Sequence, residues 1–314
     1  MRSGQGRRCG ASSKNQIAPS VIHFAPIIRS AAICGAIISG TFFSNAARAE
    51  PAIWVIHDND STIYLVGTLH LLRRQTEWES AKLQKAQQQS SELWLEIVNP
   101  DDQLAAFPLI QKYGFDREHS LSNKLTPAQR ERLAKIGAQY NFPVTGLESM
   151  KPWLAALTLA VLPVVKAGFD PSAGVDRSLF DEAKKEGHKI VGLETLEEQF
   201  RLLANLSENE QLDLLESTFD DVEKGAAMLE KVAAAWMNGD TKTIETELLG
   251  DIKEHDKPVY QKIFAERNAR WSAQIEKLLA GSGVQIIAVG AGHLVGPDSL
   301  QTQLARHGIK VDRY

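Results

Sequence analysis

Cysteine is nearly absent from this 314-residue chain, and acidic residues are absent altogether from its first 49 positions. Both cysteines, Cys9 and Cys34, fall inside that amino-terminal stretch, so the rest of the chain can form no disulfide and can offer a metal no thiolate. Any ion would be held by His, Asp, Glu or backbone oxygen. Long apolar runs are missing too. AAICGAIISGTFF (31–43) and WLAALTLAVLPVV (153–165) are well short of the roughly 20 residues that cross a bilayer. The second contains Pro163 and reads as a buried helix. There is no low-complexity linker.

The first 49 residues carry six basic residues (Arg2, Arg7, Arg8, Lys14, Arg29, Arg48), then the apolar run, then Ala47-Arg48-Ala49. Small residues three and one before a cut are what a signal peptidase needs, so we expect a signal peptide cleaved after Ala49 and a periplasmic protein. Bulky Ile33 ahead of Cys34 argues against a lipidated cysteine. Of the 35 Lys and Arg residues, 29 remain beyond the leader against 39 Asp and Glu, a balance of about −10. Nucleic acid and anionic membrane surfaces are therefore poor partners.

Patterning predicts an α/β fold with a mixed central sheet flanked by helices. AIWVIH (52–57) and STIYLV (61–66) flank Asp58-Asn59-Asp60 as a β-hairpin. Further strands are expected at 92–97, 189–193 and 284–289, with an edge strand at 309–312. Helices are expected at 77–89, 126–140, 149–168, 175–187 and 297–307. Thr126 and Thr195 open capping boxes, and Gly187 suits a left-handed helix end. A largely helical insertion is expected over about 195–280, with breaks near Ser207, Gly239 and Pro258.

VGTLHL (66–71) and VGAGHLVG (289–296) repeat Val-Gly-x-x-His-Leu, the two histidines 223 residues apart, each copy directly after a β-forming run. Glycine at a strand end permits a sharp turn and close approach, which would carry His70 and His293 to the carboxyl edge of the sheet, where open α/β sheets place their sites. Two imidazoles and one carboxylate suit a divalent transition metal and leave positions open for water or substrate. The candidate carboxylates, in order, are Glu96 in LWLEIVNP, Glu194 in VGLET and Glu148 in TGLES. A carboxylate ending an apolar strand needs a partner or a ligand role. Arg267 and Arg270, one turn apart in AERNARW, could each hold a carboxylate or a developing oxyanion. The other histidines read as solvated.

VGTLH, LWLE, KPW (151–153), GVD (174–176) ahead of GLETLEEQ, ERN (266–268) and VGAGHLVGPDSL, in this order from about Trp54 to the carboxyl end, resemble the TraB/GumN family in its bacterial exported branch. The resemblance implies a relationship to Tiki-type metalloproteases, which share paired Gly-x-x-His motifs, a glutamate and an arginine and work with Mn or Co. The family pattern maps here to His70, Glu96, Arg267 and His293. The expectation is a peptidase-like hydrolase acting on a peptide or protein. His70, His293 and a carboxylate, foremost Glu96, would hold Mn, Co or Zn. Glu96 if it is not a ligand, or Glu194 otherwise, would be the general base, and Arg267 would stabilise the oxyanion. The competing expectations are a non-catalytic periplasmic metal- or haem-binding protein using the same histidines, and a structural envelope protein.

Overall fold

The computed structural model describes residues 49–99 and 102–314. The expected signal peptide lies outside the described residues except for Ala49. β1 (Ile53–His57) and β2 (Ser61–Thr68) form the hairpin. Asp58 closes the turn, its carboxylate accepting from the backbone N–H groups of Asp60 at 3.1 Å and Ser61 at 2.8 Å. β3 (Glu92–Leu95), β4 (Lys189–Gly192), β5 (Gly283–Gly290) and β6 (Asp312–Arg313) complete a six-stranded sheet in the order β4-β3-β5-β2-β1-β6. β4, β3, β5 and β2 run parallel, β1 runs antiparallel to β2, and β6 antiparallel to β1. The sheet is mixed, as expected.

The parallel strands are apolar on both faces because helices cover both. Period-2 alternation divides them between two cores. Tyr64, Val66, Ile286 and Ala288 pack with Trp236 and Leu179 on one side. Ile63, Leu65, Ile287 and Val289 pack with Trp271, Ile275, Leu300 and Leu304 on the other.

α1 (Ala81–Gln89) joins β2 to β3. Between β3 and β4 lie α2 (Gln103–Tyr113), α3 (Leu121–Lys124), α4 (Pro127–Tyr140), α5 (Pro152–Lys166) and α6 (Val175–Glu186). Between β4 and β5 lie α7 (Leu196–Ala204), α8 (Glu208–Lys224), α9 (Ala227–Met237), α10 (Thr241–His255), α11 (Lys257–Tyr260), a π-helical turn (Gln261–Ala265) and α12 (Glu266–Leu279). α13 (Leu300–Arg306) follows β5. The helices of 195–280 distribute over three cores. Trp236 of α9 and Trp271 of α12 cover opposite sheet faces, while Leu215, Phe219 and Val222 of α8 pack with α4 and α5 in a third cluster.

Several boundaries differ from the sequence expectations. β3 stops at Leu95, where its register with β4 ends, and Glu96 just beyond it keeps only a 2.9 Å backbone bond from the Glu194 N–H. α5 starts at Pro152 rather than Ser149, since the residue before a proline is held extended, as Lys151 is at ψ 154°. α13 starts after its cap Ser299, not at Pro297. The last strand is confined to Asp312–Arg313. Gly225, at φ 76°, ends α8 and makes a break that the sequence pattern did not announce.

Candidate functional site

Each of the four parallel strands ends by delivering a polar side chain to the same carboxyl edge. His70 follows β2, Glu96 follows β3, Glu194 follows β4, and His293 sits in the 3-10 turn Ala291–Leu294 after β5. The register pairs Thr68 with Gly290 and Leu95 with both Ala288 and Gly192, so these strand ends are adjacent. The two motif glycines serve different ends. A Cβ on Gly67 would stand 3.3 Å from the Ala291 Cα, so the first motif's glycine admits the second motif's backbone. A Cβ on Gly290 would stand 3.2 Å from Glu96 Oε1 and 3.7 Å from both His70 Nε2 and His293 Cδ2. That empty spot is a cradle on which both histidines and Glu96 converge.

Hydrogen bonding fixes the His293 tautomer. Asn268 Nδ2 donates to the carbonyls of His293 (3.3 Å) and Asp298 (2.7 Å), so its Oδ1 accepts from His293 Nδ1 at 2.7 Å. The Nε2 lone pair then accepts from Arg267 Nη1 at 3.2 Å. Burial, helped by the positive charge of Arg267, outweighs the pull of Glu96 and lowers the His293 pKa to about 3, so the imidazole is neutral. Trp271 packs on its ring at 4.6 Å between centroids.

His70 has a carboxylate beside its other nitrogen. Its Nδ1 lies 3.1 Å from Asp176 Oδ1, an ion-pair contact. Crowding by the surrounding chain acts to lower its pKa although the side chain is 62% exposed, but Asp176 and the charge of Glu96 prevail and raise it to about 9, so the ring is protonated at neutral pH. Asp176 is placed by Gly174, whose missing Cβ would collide at 2.5 Å with the His70 carbonyl, and by the Val175 N–H donating to the Leu69 carbonyl at 2.9 Å. Asp176 Oδ1 and the nearby Thr68 Oγ1 are buried without a well-formed hydrogen bond.

Arg267 is the hub. Its Nη2 donates to Glu96 Oε2 at 2.6 Å and to Glu194 Oε1 at 2.5 Å, and its Nε to Glu194 Oε2 at 3.1 Å. The guanidinium lies over the Trp271 ring at 4.4 Å, and the π-helical turn just before α12 supplies the Ile263 carbonyl to Nη1 at 3.2 Å. Side-chain exposure is 5% for Arg267, 4% for Glu194 and 11% for Glu96, so this is a buried ion cluster. Burial would raise Glu96, but His293, where it is protonated at low pH, the charges of Arg267 and His70, and the Gly290 N–H, 2.8 Å from Oε1, bring its carboxyl down to about 2. Burial prevails at Glu194, which is raised despite Arg267. Gln199 donates to both carboxylates, at 3.2 and 3.3 Å.

The expected site residues thus separate. His70, Glu96, Arg267 and His293 line one cleft of about 360 Å³. Glu194 lines neither this cleft nor its neighbour and stands behind Arg267. Glu148 is elsewhere, accepting from the Ser122 N–H and hydroxyl at α3. Arg270 is half-exposed, 4.0 Å from Glu194. Sequence reasoning gave no role to Asp176, Asn268 or Gln199. GVD and ERN were visible as motifs, but only the contacts across the fold reveal what Asp176 and Asn268 orient.

A family model for TraB/PrgY/gumN matches residues 52–313. The chain belongs to the TraB/PrgY/gumN family. Relatives of this TraB/PrgY/gumN chain include the uncharacterised protein YbaP of Escherichia coli strain K12, 22% identical over 256 residues that cover 81% of this chain and 92% of YbaP. An uncharacterised protein of Treponema pallidum strain Nichols is 21% identical over 281 residues, 85% of this chain and 84% of that one. No solved structure matches.

Two imidazoles and a carboxylate are donor types that a divalent ion takes. His293 Nδ1 is hydrogen-bonded to Asn268 and His70 Nδ1 lies against Asp176, and both rings turn their other edge to the cradle; His70, with its pKa raised to about 9, would have to give up its Nε2 proton to an ion. Glu96 Oε1 is 3.7 Å from His293 Nε2, a separation that two ligands of one ion can span. Among the described residues, no three His, Cys, Asp or Glu groups are yet gathered closely enough to hold an ion as the side chains stand. Arg267 provides the positive charge there, and an ion would require its Nη1 to release His293 Nε2.

Proposed function

We propose that the protein is a metal-dependent hydrolase of acyl bonds, a peptide bond foremost, in which His70 and His293 hold one divalent transition metal and Glu96 is the base beside it. The observation that supports this reading is the convergence of the two imidazoles, one hydrogen-bonded to Asn268 and the other set against Asp176, on the cradle beside Gly290 and Glu96. An ion held there supplies Lewis acidity to the carbonyl under attack. Glu96, the one carboxylate lining the cleft, is ionised at neutral pH and takes the proton of the attacking water. The amide C–N bond then breaks, and Glu96 returns the proton to the departing amine. Arg267 directs the Nη1 N–H that His293 releases to the oxygen that gains charge, and Glu194 keeps that guanidinium in place rather than acting as the base. The basic, then apolar leader supports action outside the cytoplasm. No helix among the described residues is long and apolar enough to cross a membrane.

Elemental analysis of the purified protein tests the metal. Wild type should carry one transition ion per chain, and His70→Ala and His293→Ala should each lose most of it. Undiminished metal in both variants, or none in wild type after incubation with Mn, Co or Zn, refutes the reading.

A further inference from the structure

The site does not sit at the bottom of a single pocket. It lies where two cavities meet, both lined by Thr68, His70, Leu71 and Glu96. The two differ in chemistry. Apart from the site itself and Thr68, the cleft of about 360 Å³ is walled only by apolar residues and glycine, chiefly Leu229, Leu248, Ile252, Ile263 and Phe264 from α9, α10 and the π-helical turn. The second, of about 420 Å³, mixes Ala106, Leu196 and Phe200 with Asp176, Arg177 and Gln199. Arg267 and His293 line only the apolar one.

We infer that the substrate is an extended chain lying across both cavities, with a bulky apolar side group, leucine-sized or aromatic, on the acyl side of the bond that breaks. The assignment of sides rests on the hydrolase reading above. Arg267 is the donor for the carbonyl oxygen, and the substituent on that carbonyl's own carbon is the group nearest to the cleft Arg267 lines. The leaving-group side then crosses the mixed cavity, whose Gln199 and Asp176 can meet backbone amides. Five half-buried apolar side chains around an opening form a surface that gains by being covered. A volume near 360 Å³ falls within the roughly 300–1,000 Å³ typical of small-ligand sites and exceeds what one glycine or alanine would fill.

Product-like acids read this specificity without any turnover. N-acetyl-L-phenylalanine and N-acetyl-L-leucine present a carboxylate to Arg267 and a side group to the cleft, and N-acetylglycine presents the carboxylate alone. Titration calorimetry on the purified protein should show the two apolar acids binding about 10- to 100-fold tighter than N-acetylglycine, the range expected for burying one such side chain. Leu248→Trp, which fills the cleft from α10, should abolish that preference and leave N-acetylglycine affinity within about twofold. Equal affinities for the three acids, no binding of any of them by folded wild type, or a preference that survives Leu248→Trp would overturn the inference. The two readings fail separately. Apolar preference in a protein that takes up no metal removes the hydrolase and leaves the cleft's selectivity, whereas a metal-loaded protein that cleaves peptides without regard to the acyl-side residue removes this inference alone.

Discussion

Replacing Arg267 by methionine keeps most of the side chain's volume and removes the one cation in contact with two buried carboxylates. Wild type satisfies Glu96 and Glu194 with three charge-assisted hydrogen bonds from that guanidinium, at 2.5, 2.6 and 3.1 Å. Gln199 can donate to each carboxylate but brings no charge. Breaking a buried ion pair by deleting one partner costs about 3–5 kcal/mol, against the roughly 5–15 kcal/mol that a domain has in total. Arg267→Met should therefore lose about 3–5 kcal/mol in urea unfolding followed by circular dichroism with chelator present. The loss should depend on pH. In wild type, Glu96 titrates near 2 when folded against an ordinary 4.5, so its contribution is complete above 4.5 and is lost as pH falls toward 2. In the variant both carboxyls lose their nearest cation, leaving Glu96 only His70 and Glu194 only the half-exposed Arg270 at 4.0 Å, so their folded pKa values rise from those of wild type and the variant loses stability relative to wild type as pH rises. The gap between the two proteins should thus be wide at pH 7 and narrow below pH 4. Adding Glu194→Gln to Arg267→Met should return part of the loss at pH 7. A loss under about 1 kcal/mol at pH 7, or a gap that does not change with pH, would show that Arg267 is not the charge partner of this cluster.

Asp176→Asn removes the carboxylate beside His70 Nδ1, and metal affinity measured by competition with a chelating dye should fall about 10- to 100-fold while the fold is kept. Gly290→Ala should fold, since φ −49° is ordinary for alanine, yet bind metal at least tenfold more weakly, because the new Cβ enters the cradle 3.2 Å from Glu96 Oε1; full metal affinity in that variant would place the ion elsewhere. Gly174→Ala should cost about 1–3 kcal/mol in thermal unfolding through the 2.5 Å clash with the His70 carbonyl. Glu148→Gln should leave metal content and affinity unchanged, as its carboxylate serves only Ser122.

The hairpin, the parallel strands after it and the capped helices were legible because each rests on local signals: alternation, turn residues, Thr-x-x-Gln and Thr-x-x-Glu boxes. The placing of His70 and His293 at strand ends was legible for the same reason. Glu96, Glu194 and Glu148 were harder to tell apart, since each follows a short apolar stretch. What separates them is strand order. β3 lies beside β5, which sets Glu96 against the Gly290 N–H, β4 lies one strand further out, and Glu148 follows no strand of the sheet.

Sequence alone determined that histidines would stand at the carboxyl ends of two β-runs, that no thiolate could join them from beyond residue 49, and that Arg267 would ride on a helix near the end of the chain. These follow from periodicity and composition, which act over a few residues. The tertiary structure decided that Arg267 sits between Glu96, Glu194 and His293, that Asp176 and Asn268 orient the two rings, and that an apolar cleft adjoins the site. Those contacts join residues 25 to 171 positions apart. No local pattern specifies them, because which distant charges share one buried space depends on strand order and on the packing of helices over the sheet edge.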